Sequence, residues 1–162
     1  MNTNTYNGVL FATIRPWLTV GHQDYCGVID ANTLHVYRTD HPRQYCQTVL
    51  THGSPEGIRD LGGDLLLNYI DGQAIPDDVL YSVSNWALRS RDSGRSLYLH
   101  CAVGQTRSPT LAILVLSVIE RTHPVDSVGV IYKASWLQRG VPPNICVEPF
   151  KNICLFYERN FT

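Results

Sequence analysis

A cysteine followed six residues later by an arginine lies in the run Leu97-Tyr98-Leu99-His100-Cys101-Ala102-Val103-Gly104-Gln105-Thr106-Arg107-Ser108-Pro109. The run opens on an alternation suited to a short buried strand. It crosses a small-residue loop and enters an almost wholly apolar stretch, 109–119, long enough for a buried helix. Strand, tight loop and helix in that order make an anion cradle. The helix start offers unpaired N–H groups and the positive end of its dipole, and the loop adds further N–H groups. Backbone donors from Ala102, Val103, Gly104, Gln105 and Thr106 would hold the oxygens of a bound phosphate, and the Arg107 guanidinium would grip two of them. The same positive field favours the thiolate of Cys101. Such sites lower a cysteine pKa from about 8.5 into roughly the 3.5–7.5 range. A thiolate aimed at phosphorus is a phosphoryl-accepting nucleophile.

The sequence His100-Cys101-x5-Arg107-Ser108 resembles the signature of the cysteine-dependent protein tyrosine phosphatases, and with Gly104 and Pro109 it looks most like the dual-specificity branch. The resemblance implies an α/β fold with a central mixed β-sheet flanked by α-helices. It implies hydrolysis of phosphotyrosine and phosphoserine or phosphothreonine in proteins through a cysteinyl-phosphate, with no metal and no cofactor. The departing oxygen needs a proton, which the family supplies from an aspartate on a separate loop well before the cysteine. Asp71 stands in that place, and as an Asp-Gly pair it also reads as a turn. Asp77 and Asp78 are explained by helix-start chemistry, and Asp64 belongs to the far end of its strand. By the same resemblance Ser108 helps the thiolate leave when the intermediate hydrolyses, His100 orders the loop, and Asn144 gives structural support. Read from local chemistry alone, Ser108 is an N-cap with Pro109 at the first helical position.

The elements that must position these groups follow from periodicity and punctuation. Strands are expected over 8–14 and 17–20, and Ile14-x-Pro16-x-Leu18-x-Val20-Gly21 is similar to the family's opening hairpin. A strand is expected over 34–38, a strand or helix over 44–50, and a loop over 51–63. A strand over 65–70 leads into a loop. A helix over 77–91 buries Val79, Leu80, Val83, Trp86 and Ala87 and stops at Gly94. Helices are expected over 125–138 and at the C-terminus, where Phe150, Ile153, Cys154, Tyr157 and Phe161 share a stripe. The stretch 137–144, with Phe150 and Tyr157-Glu158, resembles the end of the family's domain, whereas 22–63 does not align with it.

The chain of 162 residues is expected to form one domain over 1–162, large enough to bury roughly two-thirds of its unfolded surface. A hydrophobic content of 44%, a charged content of 17% and a net charge of −1 argue against bulk attraction to nucleic acid or to anionic membranes. The apolar run is too short to cross a bilayer, and the first residues lack the pattern of a signal peptide. Five cysteines without paired spacing fit free thiols in a reducing cytoplasm. The expectation is a cytoplasmic monomer whose partner is a phosphorylated protein. His22, His35, His41 and His52 match no metal-ligand spacing, and Cys46 completes no set, so no metal is expected. Three other readings compete. A phosphoinositide phosphatase would place lysines in the loop, where this chain has none. An RNA 5′-triphosphatase would need a basic entrance, which Arg89, Arg91 and Arg95 could supply. A non-catalytic phosphate-binding module would have lost the cysteine, the arginine or the acid.

Overall fold

A computed structural model describes residues 11–38, 46–52, 57–69, 72–102 and 106–162. Among these residues the strands are β1 (Phe11–Arg15), β2 (Leu18–Gly21), β3 (Asn32–Tyr37), β4 (Ile58–Asp60), β5 (Leu65–Asn68) and β6 (Leu97–His100). The helices are α1 (Gln47–His52), α2 (Asp77–Asp92), α3 (Arg107–Glu120), α4 (Pro124–Arg139) and α5 (Val147–Phe161). The strands form one mixed sheet in the order β1-β2-β6-β3-β5-β4. Its four inner strands run parallel, and its two edge strands, β1 and β4, run antiparallel to their neighbours. Parallel neighbours need long crossovers, which the intervening helices supply. The α/β architecture with a central mixed sheet flanked by helices is the one expected.

The period of two along each strand splits the side chains between two layers. Leu18, Val20, Leu34, Val36, Leu65, Leu67, Leu97 and Leu99 join the main core with residues of α2, α3, α4 and α5. Leu66 and Tyr37 face the other way and pack with Cys46 and Val49 under α1. Helix α3 lies within the main core, and every residue from Arg107 to Val118 is buried. Because α3 is apolar on all sides, it needs neighbours on all sides. Helix α4 covers the sheet at the β1 end. There the Gln138 side chain accepts from the Thr13 N–H at 2.8 Å and donates to the Thr13 carbonyl at 2.7 Å. That amide pairs the outer backbone of an edge strand, which would otherwise be open to another chain.

Two expectations need correction, and one alternative is resolved. The segment expected as a loop over 51–63 contains the end of α1 and strand β4. Only Ile58 in β4 is apolar, and the strand exists because β5 offers it a partner. Of the two alternatives over 44–50, the helix is the one that forms, from Gln47; positions 44 and 45 lie outside the described residues. Thr106, not Ser108, takes the N-cap of α3, so Pro109 falls in the third helical position and Ser108 points into the interior. The first strand begins at Phe11 among the described residues, and the expected strand positions 8–10 lie outside them, as does position 70.

Truncating a fully buried leucine in α3 leaves a cavity in a close-packed layer. Leu114→Ala is expected to cost about 2–5 kcal/mol. Gln138→Ala, which removes two exposed hydrogen bonds, is expected to cost about 1 kcal/mol. Urea unfolding followed by circular dichroism measures both. Equal losses would mean that α3 is not the centre of the core.

Candidate active site

Strand β6 ends at His100, and Cys101 follows at the C-terminal edge of the parallel strands, where α/β sheets open their crevices. Cys101 is buried on the helical side of the sheet, whereas His100, one residue earlier, is buried on the other. Helix α3 begins six residues after the cysteine with Arg107, itself only 3% exposed. The next residue, Ser108, is fully buried, and its Oγ lies 3.4 Å from Cys101 Sγ. The first turn of a fourteen-residue helix therefore faces the sulfur with a hydroxyl and an N-terminal dipole.

The loop is tied to its surroundings at both ends. The Ala102 carbonyl accepts from the Gln23 N–H at 3.2 Å, linking the loop to the 3-10 turn Gln23–Tyr25. The Tyr69 hydroxyl, just past β5, donates to the Arg107 carbonyl at 3.5 Å. The chain leaving β5 thus passes the start of α3. Val103, Gly104 and Gln105 of the expected phosphate cradle, and Asp71, the expected general acid, lie outside the described residues. Thr106 is half-buried at the helix cap. Asn144 is exposed on the segment between α4 and α5.

The rival carboxylates have other engagements. Asp77 pairs with Arg159 at 3.2 Å. Asp78 accepts from the Val79 N–H at 2.9 Å, as a helix-start residue does. Asp64 precedes β5 at its N-terminal end and is engaged by His35 Nε2 and by the Thr33 N–H, each at 3.0 Å. The arginines considered for a basic entrance also fall at the wrong end of the sheet. Arg89 pairs with Asp60 at 2.6 Å, Arg91 with Asp92 at 2.9 Å and Arg95 with Asp30 at 2.9 Å. Arg95 precedes β6, whereas Cys101 follows it.

A second set of reactive groups gathers on the opposite face. Strands β3 and β6 place His35 directly across from His100. Cys26 approaches from the turn after β2, and Cys46 from the start of α1. The ligating atoms of Cys26, His35, Cys46 and His100 all lie within 4.8 Å of one another. The hydrogen bond from Cys46 pulls the Cys26 thiol below the usual thiol range; burial opposes this, and the bonds from His100 and His35 add to it. The bond to Cys26 together with burial pushes Cys46 up. Burial lowers the pKa of His35, but its bonds to Asp64 and Cys26 overturn that and favour the imidazolium. Burial holds His100 below the usual histidine range. Sequence reasoning missed this quartet because its members come from four separate elements. The only local signal is a histidine or cysteine in each of several polar segments that lack a motif.

No protein-family profile and no curated protein sequence matches this chain. Solved structures do match in shape. PTPMT1, crystallised in complex with PI(5)P, superposes with a TM-score of 0.70 at 15% identity, over 93% of this chain and 96% of its own. A human tyrosine phosphatase-like serine/threonine/tyrosine-interacting protein gives a TM-score of 0.62 at 14% identity, over 92% and 95%. Human DUSP28 gives 0.61 at 12% identity, over 92% and 93%. With Cys101 and Arg107 between β6 and the first turn of α3 and the sheet order described, the chain has the fold of the cysteine-dependent protein tyrosine phosphatases of dual-specificity type.

Proposed function

We propose that this chain is a phosphomonoester phosphatase of the cysteine-dependent protein tyrosine phosphatase superfamily, acting on phosphorylated protein side chains. The observation that carries the reading is the placement of Cys101 below the first turn of α3, with Ser108 Oγ 3.4 Å from its sulfur and Arg107 opening the helix. Cys101, as thiolate, attacks phosphorus in line with the leaving oxygen. Charge on the transferring group is met by Arg107, by the N-terminus of α3 and by the loop 102–106. The sulfur–phosphorus bond forms as the phosphorus–oxygen bond breaks, and Asp71 gives its proton to the departing oxygen. In the second half, Asp71 takes a proton from water, and Ser108 donates a hydrogen bond to the sulfur as the thiolate leaves. Tyr69, which holds the Arg107 carbonyl two residues before Asp71, supports bringing that aspartate to this side of the site.

Phosphotyrosine and phosphoserine or phosphothreonine in proteins fit a loop whose side chains between Cys101 and Arg107 carry no charge. The shape match to PTPMT1 with its PI(5)P favours a phosphoinositide as the second reading. The ion-paired positions of Arg89, Arg91 and Arg95 count against an RNA 5′-triphosphatase. A binding-only module would not need Cys101, Arg107 and Asp71 together. Free thiols at all five cysteines support a cytoplasmic setting. No helix among the described residues is long and apolar enough to cross a membrane.

Three measurements test the reading. Cys101→Ser is expected to abolish turnover of an aryl phosphate while still binding phosphate, seen by isothermal titration. Steady-state turnover by that variant would remove the cysteinyl-phosphate. Arg107→Lys keeps the charge but loses the forked grip, and it should drop kcat by roughly 10²–10³, the worth of an anion-stabilising donor. Near wild-type kcat would exclude Arg107 from the phosphate site. Asp71→Asn should lose roughly 10²–10⁴ on phosphopeptides and distinctly less on aryl phosphates with acidic phenols. The basic limb of its pH profile should flatten, while the acidic limb, reporting Cys101, stays. An unchanged dependence on leaving-group pKa would clear Asp71 of the role. A substrate panel of phosphopeptides and phosphoinositides separates the two substrate classes.

A further inference from the structure

The face of β6 turned away from the nucleophile holds two imidazoles in an arrangement that two neutral rings cannot keep by themselves. His100 Nδ1 lies 3.2 Å from the Cys101 carbonyl oxygen, which can only accept, so Nδ1 carries the proton. His35 Nε2 lies 3.0 Å from Asp64 Oδ2, and it too carries its proton outward. With both rings neutral, the inward nitrogens His100 Nε2 and His35 Nδ1 would face each other as lone-pair acceptors 2.8 Å apart. Either a proton on His35 Nδ1 or a metal cation bound by both nitrogens relieves that clash. The same His35 nitrogen is 3.1 Å from Cys46 Sγ and 3.5 Å from Cys26 Sγ. Four donor atoms of the kinds that zinc prefers converge on one point.

We propose that Cys26, His35, Cys46 and His100 form a closed, four-coordinate structural zinc site on the face of the sheet opposite the Cys101 loop. Zinc–sulfur bonds near 2.3 Å and zinc–nitrogen bonds near 2.0–2.1 Å place tetrahedral ligands about 3.3 Å (N to N), about 3.6 Å (N to S) and about 3.8 Å (S to S) apart. The three distances from His35 Nδ1 fall within about half an ångström of these values, so side-chain adjustments alone would complete the polyhedron. The outer shell is already in place. Asp64 takes the far nitrogen of His35 and is itself fixed by the Thr33 N–H at 3.0 Å, and the Cys101 carbonyl takes that of His100. Such partners fix the tautomer and the ring orientation of a metal-bound histidine. Three of the four ligands are buried and Cys26 is half-buried. Four protein ligands leave no open coordination position, so the role is structural and not catalytic.

The exchange balances in charge. Zinc enters as a dication and is held by two thiolates and two neutral imidazoles, and the protons that the metal-free cluster carries on sulfur or on the inward ring nitrogens go to solvent. No bond is oxidised or reduced. The site would fasten the turn after β2 and the start of α1 to β3 and β6, and it would fix His100 beside the cysteine. It does not depend on the phosphatase reading, because a zinc site can exist whether or not Cys101 turns over substrate.

The test uses the full chain, stripped of metal with a chelator and reduced. Zn²⁺ titrated against a chromophoric indicator, with elemental analysis, should give one zinc per chain. Co²⁺ should give the intense visible bands of a tetrahedral site and a thiolate-to-cobalt charge-transfer band. Cys26→Ser and Cys46→Ser should each weaken zinc by more than the roughly 10–100-fold expected of Asp64→Asn, which touches only the outer shell. Cys101→Ser should bind zinc as wild type does. Circular dichroism of each metal-free variant reports its folding, and the wild-type stoichiometry and cobalt spectrum decide the matter even where a variant fails to fold. Sub-stoichiometric zinc, a weak octahedral cobalt spectrum, a Cys26–Cys46 disulfide in place of metal binding, or zinc lost with Cys101→Ser would each overturn the proposal.

Discussion

Strand β6 has no solvent on either face. Leu97, Tyr98, Leu99 and His100 are all buried, and the strand pairs on both edges, with β2 and with β3. That single constraint explains most of the architecture. One face carries leucines and requires an apolar cover, which α3 supplies. The other carries a phenol and an imidazole, whose polar atoms must be satisfied inside the protein. The Tyr98 hydroxyl donates to the His22 carbonyl at 2.5 Å, and the His100 ring reaches His35 and the Cys101 carbonyl. The short pieces of chain between β2 and β5 are therefore the polar partners of β6, not an arbitrary filling.

How much of this was legible follows from where the information sits. The strands β2, β5 and β6 and the helices α2 to α5 announce themselves through local periodicity, because each buries a continuous face against the main core. The cysteine, the arginine and the serine at the start of α3 are legible for a related reason: a strand–loop–helix is a local unit, and its chemistry is written within one run of residues. The region 22–63 was the least legible because its cohesion is tertiary. Strand β4 exists by pairing with β5, not by its own propensity. The quartet of Cys26, His35, Cys46 and His100 has no spacing to read, since β3 and β6 become neighbours only in the folded sheet. Ser108 was misjudged as a cap because local propensity favours it there. The interior claimed its side chain, and Thr106 took the cap.

The two faces of β6 also divide labour between rigidity and reactivity. Cys101 and Ser108 are positioned by a strand end and a buried helix, elements whose side chains cannot shift without opening the core. The polar face holds the loop from behind, through the carbonyls of Cys101 and Ala102 and the contacts they accept from His100 and Gln23. Ala102 and Arg107, the described residues that flank the loop, are thus each held by a hydrogen bond from another element.

The position of β6 in the sheet has a bearing on how the chain is made. It is the last strand in sequence, yet it lies between β2 and β3, two of the first three. Until residues 97–100 leave the ribosome, the emerging polypeptide can form a β1–β2 hairpin and a β3–β5–β4 ladder, but the two half-sheets have no common border. Each then shows an open edge to the cell, β2 on one and β3 on the other. Most of the chain must wait, as two incomplete sheets, for a late four-residue insertion that joins them. Synthesis thus passes through a stage in which these two inner edges are open to the wrong partner, and the insertion of β6 closes both at once.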